Sequence, residues 1–205
     1  MAKLPIAVLA SGRGSNFQAL IDGIKKGEVN AEIKILITDN PEAFAIERAK
    51  KAGIKYEIVE RGKFKTREEM DLAIKNILDA NNVELVVLAG YMRLLKAKEL
   101  FDSYRNRIIN IHPSLLPKYP GVDAQKQAFE AGEKISGLTI HFVDELLDHG
   151  PIIYQEEVDI SDCKDAHEVS EKILAREHLA YKKFVDSFSK GKYVIEGNTV
   201  RFVLF

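Results

Sequence analysis

The sequence predicts a single α/β domain: a Rossmann-like, doubly wound sheet, mostly parallel, with an antiparallel C-terminal portion. Three observations predict it. Short apolar runs alternate with segments of helical periodicity from the start of the chain to about Ile111. Two further runs are then joined by a loop too short for a crossover helix, which favours an antiparallel pair. The length, 205 residues, suits one domain that buries its apolar surface without disulfides or a structural metal.

Taken in order, Ile6-Ala7-Val8-Leu9 is a continuous apolar run, as a strand covered on both faces requires. Phe17, Leu20, Ile21 and Ile24 follow at helical spacing, with Gly27 near the stop. Ile33 to Ile37 is a second strand, and Glu42 to Lys51 a helix ending at Gly53. Tyr56 to Val59 is a third strand. Met70, Ala73, Ile74, Ile77 and Leu78 form the buried stripe of the next helix, and Leu85 to Ala89 and Arg107 to Ile111 are the fourth and fifth strands. Right-handed crossovers between such units put helices on both sheet faces. The antiparallel pair is Leu138 to Val143 with Ile152 to Val158. A long helix, Asp165 to Lys190, follows, and Tyr193 to Glu196 and Thr199 to Leu204 bracket Gly197-Asn198, a two-residue hairpin signal.

Composition excludes several classes. The net charge is −1, whereas a dedicated nucleic-acid binder carries a basic excess. The longest apolar run, Leu85 to Met92, falls far short of the roughly 20 residues that span a bilayer. Cys163 is the only cysteine, flanked by Asp162 and Asp165, whose charge disfavours a reactive thiolate. Leu4 to Ala10 imitates a short signal peptide, but it runs straight into a Gly/Ser loop. A buried first strand explains it better, and a cytoplasmic location is expected.

That loop, Ser11-Gly12-Arg13-Gly14-Ser15-Asn16, lies between the first strand and first helix, where small residues and free helix N–H groups receive an anion. Ser15 and Asn16 are both helix-capping types. As a dinucleotide fingerprint the loop lacks its third glycine, because Phe17 stands there, although Asp39 at the end of the second strand suits a ribose. As a cradle for a single phosphate it is complete, and this reading is preferred over a turn of purely structural use.

Asn110 and His112 alternate at the end of the fifth strand, so both side chains take one face and Ile109 and Ile111 the other. An amide donor beside an imidazole suits a developing oxyanion; the bland alternative is a strand-end pair bonded to loop backbone. Pro113, Pro117 and Pro120 stiffen the loop that follows. Asp148 precedes Gly150-Pro151 at the start of an apolar strand, where a carboxylate can orient His112. Asp144 and Glu145 are explained equally well as soluble hairpin-tip residues. His141 opposes Ile140 and Phe142 and shares its face with Thr139, which is half-buried or faces the cleft. His149 and His178 neighbour candidate site residues, and His167 reads as surface. No pair of histidines has metal-ligand spacing with a carboxylate partner, so no metal is predicted. Glu177 interrupts the inward stripe Ile173, Ala180, Phe184, Phe188 of the last long helix. It therefore faces a cleft or a cation, or else reaches back to water.

Together these motifs resemble the glycinamide ribonucleotide formyltransferases, folate-dependent enzymes of purine synthesis. The resemblance rests on Ser11 to Asn16, Leu88-Ala89-Gly90-Tyr91-Met92-Arg93-Leu94-Leu95, Asn110-Ile111-His112-Pro113-Ser114-Leu115-Leu116-Pro117, His141-Phe142-Val143 and Asp148-x-Gly150-Pro151-Ile152, in order over nearly the whole chain. It implies that Gly14, Ser15 and Asn16 hold the substrate phosphate and that Glu177 meets the glycyl end. The folate would lie along Met92, Arg93, Leu94 and Leu95 and the loop Asp144 to Asp148, with Asn110 and His141 beside it and Arg67 near its glutamate tail. The implied catalytic set is Asn110, His112 and Asp148, with Asp148 raising the His112 pKa. The implied formyl donor is 10-formyltetrahydrofolate, with no metal, nucleic acid or membrane, in a monomer or homodimer. Residues 1–105 would form the phosphate-binding half and 106–205 the catalytic and folate-binding half.

Three departures from the family pattern stand out. Asp39 replaces a common serine, which is expected to be harmless. Gly121-Val122-Asp123-Ala124-Gln125 lacks the usual histidine, and His149 replaces a small residue, where it would compete with His112 for Asp148. Formyltetrahydrofolate hydrolase is the alternative enzyme. It normally carries an additional N-terminal domain, for which a strand beginning this early is expected to leave no room. A nucleotide-sensing Rossmann module is the non-enzymatic alternative, disfavoured by the missing glycine.

Overall fold

The apolar runs become strands of one sheet. In the computed structural model, which describes residues 2–197 and 199–205, β1 (Leu4–Leu9), β2 (Ala31–Thr38), β3 (Tyr56–Ile58), β4 (Leu85–Leu88) and β5 (Ile108–His112) pair in parallel. β6 (Ile135–Phe142) and β7 (Ile152–Asp159) then add antiparallel, giving a seven-stranded order β3-β2-β1-β4-β5-β6-β7 among the described residues. β8 (Gly191–Glu196) and β9 (Thr199–Leu204) form a separate antiparallel pair with Glu196 opposite Thr199. The Asn198 of the expected turn lies outside the described residues.

Helices cover both faces because successive strand residues point to opposite sides. On one face, Phe17 and Leu20 of α1 (Ser15–Lys25), Ile46 of α2 (Phe44–Ala52), and Val169, Ile173 and Val185 of α6 (Ala166–Ser187) meet Ile6, Val8, Ile109 and Ile111. On the other, Met70, Ile74 and Leu78 of α3 (Arg67–Ala80) meet Ala7, Leu9, Ile35 and Ile37. α3 and α6 begin alike: Thr66 accepts from the Glu69 N–H and Asp165 from the Glu168 N–H. Two short helices, α4 (Lys98–Ser103) and α5 (Ala124–Glu130), were not expected from sequence. Each buries too few residues, Leu100 in one and Ala124 and Ala128 in the other, to show a period. β6 begins at Ile135 rather than Leu138. The inner line of α6 runs through Tyr181 and Val185, leaving Phe184 only partly buried.

The chain turns outward in opposite directions from β1 and β4, so the loops after these neighbouring strands part and leave a crevice at their C-terminal ends. Tyr181 braces this edge from below. Its hydroxyl, fully buried, lies 2.7 Å from the Leu88 carbonyl and 3.2 Å from that of Ile109. Among the described residues no helix is long and apolar enough to cross a membrane. Because Tyr181→Phe keeps the ring and removes only this donor, it should cost about 1–3 kcal/mol of stability in urea unfolding. An unchanged midpoint would mean that the hydroxyl braces nothing.

Candidate active site

Strand register assembles the first half of the site. β5 pairs with β6 so that Asn110 stands opposite His141 and His112 opposite Thr139. Asp148, in a left-handed conformation at φ 48, enters from the turn between β6 and β7. Its Oδ2 accepts from the Gly121 N–H at 2.8 Å and lies 3.4 Å from His112 Nδ1. Its Oδ1 lies 3.5 Å from Asn110 Nδ2 and 3.7 Å from His141 Nε2. The structure thus brings Asn110, His112, His141 and Asp148 together on one wall of a cavity of about 410 Å³.

The neighbours of each ring fix its protons. His141 Nδ1 faces the Phe142 carbonyl at 2.8 Å, so it carries hydrogen, and Nε2 is free to accept from Asn110 Nδ2 at 3.2 Å. His112 Nε2 faces the Tyr119 carbonyl at 2.8 Å and is a donor likewise. With a carbonyl on one side and a carboxylate on the other, both His112 nitrogens face acceptors, an arrangement satisfied in full only by the imidazolium. Burial opposes it: desolvation lowers the His112 pKa, and the Tyr119 carbonyl and Asp148 do not make up the loss. The expected rise therefore becomes a net fall, although the Asp148 contribution has the expected sign. Burial by itself would raise Asp148, but His141, the Gly121 N–H and His112 outweigh it and hold that carboxyl below its usual range.

The opposite end of the cavity is the loop after β1. Gly14, not Ser15 or Asn16, occupies the helix cap, at φ 66, and a Cβ there would meet the Cβ of Ala45 at 2.9 Å. Ser15 is the first helical residue instead. Asn16 turns its side chain to Glu177, donating from Nδ2 to Oε2 at 2.8 Å, while its own Oδ1 is buried without a partner among the described residues. Glu177 lines the cavity, 5% exposed, and burial pushes its carboxyl up to about 7 against the pull of the Asn16 bond. The interrupted stripe of the last long helix thus marks a cleft.

Met92, Arg93, Leu94 and Leu95 line the same cavity, and Ser11 ties their loop to the first: its N–H donates to the Gly90 carbonyl and its Oγ accepts from the Met92 N–H. Arg67 lies outside, in a neighbouring cavity of about 160 Å³ that shares Arg93 and Leu94. Asp144 is not among the lining residues; its carboxylate accepts from the Leu146 N–H and pairs with His149 at 2.8 Å. His149 is therefore taken up by Asp144, and the second imidazole near Asp148 is His141. Asp39 meets neither cavity and pairs with Arg93 instead. The cavity also crosses the expected division at residue 105, since Glu177 sits beside Asn16 and Met92 to Leu95 line the same space as Asn110.

Residues 4–185 match the formyl transferase family. The chain belongs to that family. Over 179 residues it is 41% identical to the phosphoribosylglycinamide formyltransferase of Bacillus subtilis, covering 87% of this chain and 91% of that one. The Escherichia coli enzyme of the same name is 36% identical over 193 residues, 94% of this chain and 91% of that protein. The Drosophila melanogaster trifunctional purine biosynthetic protein adenosine-3 is 42% identical over 192 residues, but the chain spans only 14% of its length. Glycinamide ribonucleotide transformylase 1 from Symbiobacterium toebii superimposes with a TM-score of 0.94 at 40% identity, over 98% of this chain and 95% of that one.

Sequence reasoning about this formyl transferase missed the Gly121 N–H as a ligand of Asp148 and the Tyr119 carbonyl as a partner of His112. A backbone group carries no residue-type signal. It also missed Leu174 on the cavity wall, whereas Leu146 and Leu147 belong to the loop Asp144 to Asp148 that the resemblance assigned to the folate.

Two predictions follow from these electrostatics. A carboxyl whose folded pKa lies above its ordinary value is at no disadvantage below pH 4.5 and destabilises the fold as pH rises through about 7. Glu177→Gln should therefore match wild type in urea unfolding at low pH and exceed it above neutrality by up to ~3 kcal/mol. A difference that does not change with pH would place Glu177 in water. In an NMR titration, Asp148→Asn should move the His112 pKa further down, because it removes a charge that favours the imidazolium. An unmoved His112 alongside a shifted His141 would assign the carboxylate to the other ring.

Proposed function

We propose that this chain transfers the formyl group of 10-formyltetrahydrofolate to the amine of glycinamide ribonucleotide, a step of purine synthesis. One observation carries the reading. Asn110, His112 and Asp148 share a single cavity with the loop Gly12 to Asn16 and Glu177, so groups suited to an oxyanion and groups suited to a phosphorylated amine face the same space. Gly14 and Ser15 offer helix N-terminal N–H groups to the phosphate. Glu177 and the orphaned Asn16 Oδ1 are both acceptors, which suits the N–H groups of the glycinamide. Met92 to Leu95, with Asn110 and His141 beside them, bind the folate, and Arg67 in the adjoining cavity takes its glutamate tail.

The amine nitrogen attacks the formyl carbon, and the carbonyl electron pair moves onto oxygen. Asn110 donates to that oxyanion by giving up its long contacts to His141 and Asp148. His112, which gains its charge beside Asp148 as the oxyanion develops, is the second donor, giving up the Tyr119 carbonyl at Nε2 to do so. The proton lost by the attacking amine replaces the bond to N10 of the folate as the tetrahedral centre collapses, with His112 as the nearest transfer group. Both substrates are small molecules, handled without a metal, nucleic acid or membrane. The location is cytoplasmic and the protein is a monomer or homodimer. Residues 1–105 supply the phosphate loop and 106–205 the catalytic strand ends, with each half contributing to the other's subsite.

The test is a coupled assay with purified protein and 10-formyltetrahydrofolate, with and without glycinamide ribonucleotide. Tetrahydrofolate should appear only when the ribonucleotide is present. Equal release without it, with free formate as product, would make the protein a hydrolase. In the same assay His112→Ala should lower kcat at least ~10²-fold and Asn110→Ala by ~10²–10³-fold. Near-normal kcat in both would overturn the roles assigned here.

A further inference from the structure

Asp39 follows the last residue of β2 and has a side chain only 3% exposed. Its Oδ2 accepts from Arg93 Nε at 2.6 Å, and its Oδ1 is buried with no partner among the described residues. A carboxylate taken from water is costly unless fully hydrogen-bonded, and one bond to one oxygen compensates it poorly. Asp39 lines neither cavity, so whatever it does for the site it does through Arg93.

Arg93 stands at a junction. Its half-exposed side chain lines both the main cavity and the smaller one, where Arg61 and Arg67 join it. The pairing at Nε leaves both Nη groups unused by Asp39, and these are the arms with which a guanidinium grips a carboxylate. The far end of the same loop is held in a similar way, since the Asp71 carboxylate accepts from the Lys96 and Ala97 N–H groups. The segment carrying Arg93 is thus gripped on both sides by buried carboxylates.

We propose that Asp39 is the positioning residue for Arg93, holding its guanidinium between the two cavities so that, with Arg67, it receives the carboxylates at the glutamate end of the formyl folate. This rests on the reading above that the folate lies along Met92 to Leu95. Removing Asp39 has two consequences of opposite sign. Loss of alignment weakens tail binding, while loss of a negative charge near the tail strengthens it. Asn separates the two, because it keeps an acceptor for Nε and removes the charge.

The experiment is steady-state kinetics of wild type, Asp39→Ala and Asp39→Asn with two donors, 10-formyltetrahydrofolate and 10-formyltetrahydropteroate, which lacks the glutamate. With the full donor, Asp39→Ala should raise KM at least ~5-fold, with kcat within about twofold and the ribonucleotide KM unchanged. With the truncated donor it should match wild type, and Asp39→Asn should hold a wild-type or lower KM with the full donor and a wild-type KM with the truncated one. The Tm of Asp39→Ala should not fall, because Arg93 can extend into water once its partner is gone. An unchanged or lowered KM for Asp39→Ala with the full donor overturns the proposal, as does an equal rise with both donors. A wild-type protein that turns over neither donor overturns the folate reading and this proposal with it.

Discussion

The register of β5 against β6 is the constraint on which the site depends. Antiparallel pairing sets Asn110 beside His141, and the two-residue period carries His112 to the same face, toward Asp148. A slip of one residue would turn Asn110 and His112 into the apolar layer and bring Ile109 and Ile111 to the cavity. Those two isoleucines are fully or nearly buried among α1 and α6 residues, so the hydrophobic core enforces the register that the polar residues need. The antiparallel addition of β6 and β7 to a parallel sheet also supplies the short turn that delivers Asp148, which a crossover helix would carry away from the strand ends.

Burial then sets the charge state of what register brings together. Desolvation pushes His112 down and Glu177 up, so both drift toward their neutral forms. Asp148 is the exception: His141 and His112 when they carry a second proton, together with the Gly121 N–H, hold its carboxyl below the usual range. Under the proposed chemistry this division is useful. An attacking amine must be unprotonated, and a neutral surrounding with one fixed carboxylate stabilises positive charge at His112 only when an oxyanion develops to match it.

Much of this architecture was legible because it rests on periodicity. Alternating runs such as Ile6 to Leu9 and the stripe Met70, Ile74, Leu78 disclose strand and helix directly, and Asn110-x-His112 discloses a shared face. Glu177 was legible as a break in an apolar stripe. What sequence could not disclose were contacts made by backbone groups or between distant side chains. Ser15 and Asn16 look like caps, yet a left-handed Gly14 takes the position and frees Asn16 for Glu177. His149 adjoins Asp148 in sequence, but the strand pair presents His141 to it instead. Asp39, expected to be neutral in effect, proved to be a buried partner of Arg93, a contact between loops 54 positions apart.

The two ends of the cavity are also not independent. Ser11 begins the loop proposed for the phosphate, yet its hydroxyl and amide bind Met92 and Gly90 of the loop proposed for the folate, and the Asn40 side chain holds its carbonyl. Both loops leave the sheet at the point where the chain order reverses, so no third element separates them. A two-substrate transfer gains most from holding its reactants at a fixed separation, because the entropy of bringing them together is then settled before the bond forms. Hydrogen bonds between the loops, through the Ser11 amide and hydroxyl, hold that separation before any substrate group is reached. Under the proposed reading, the distance between amine and formyl carbon would be set where β1 and β4 diverge, and the side chains of β5 would act on a geometry already in place.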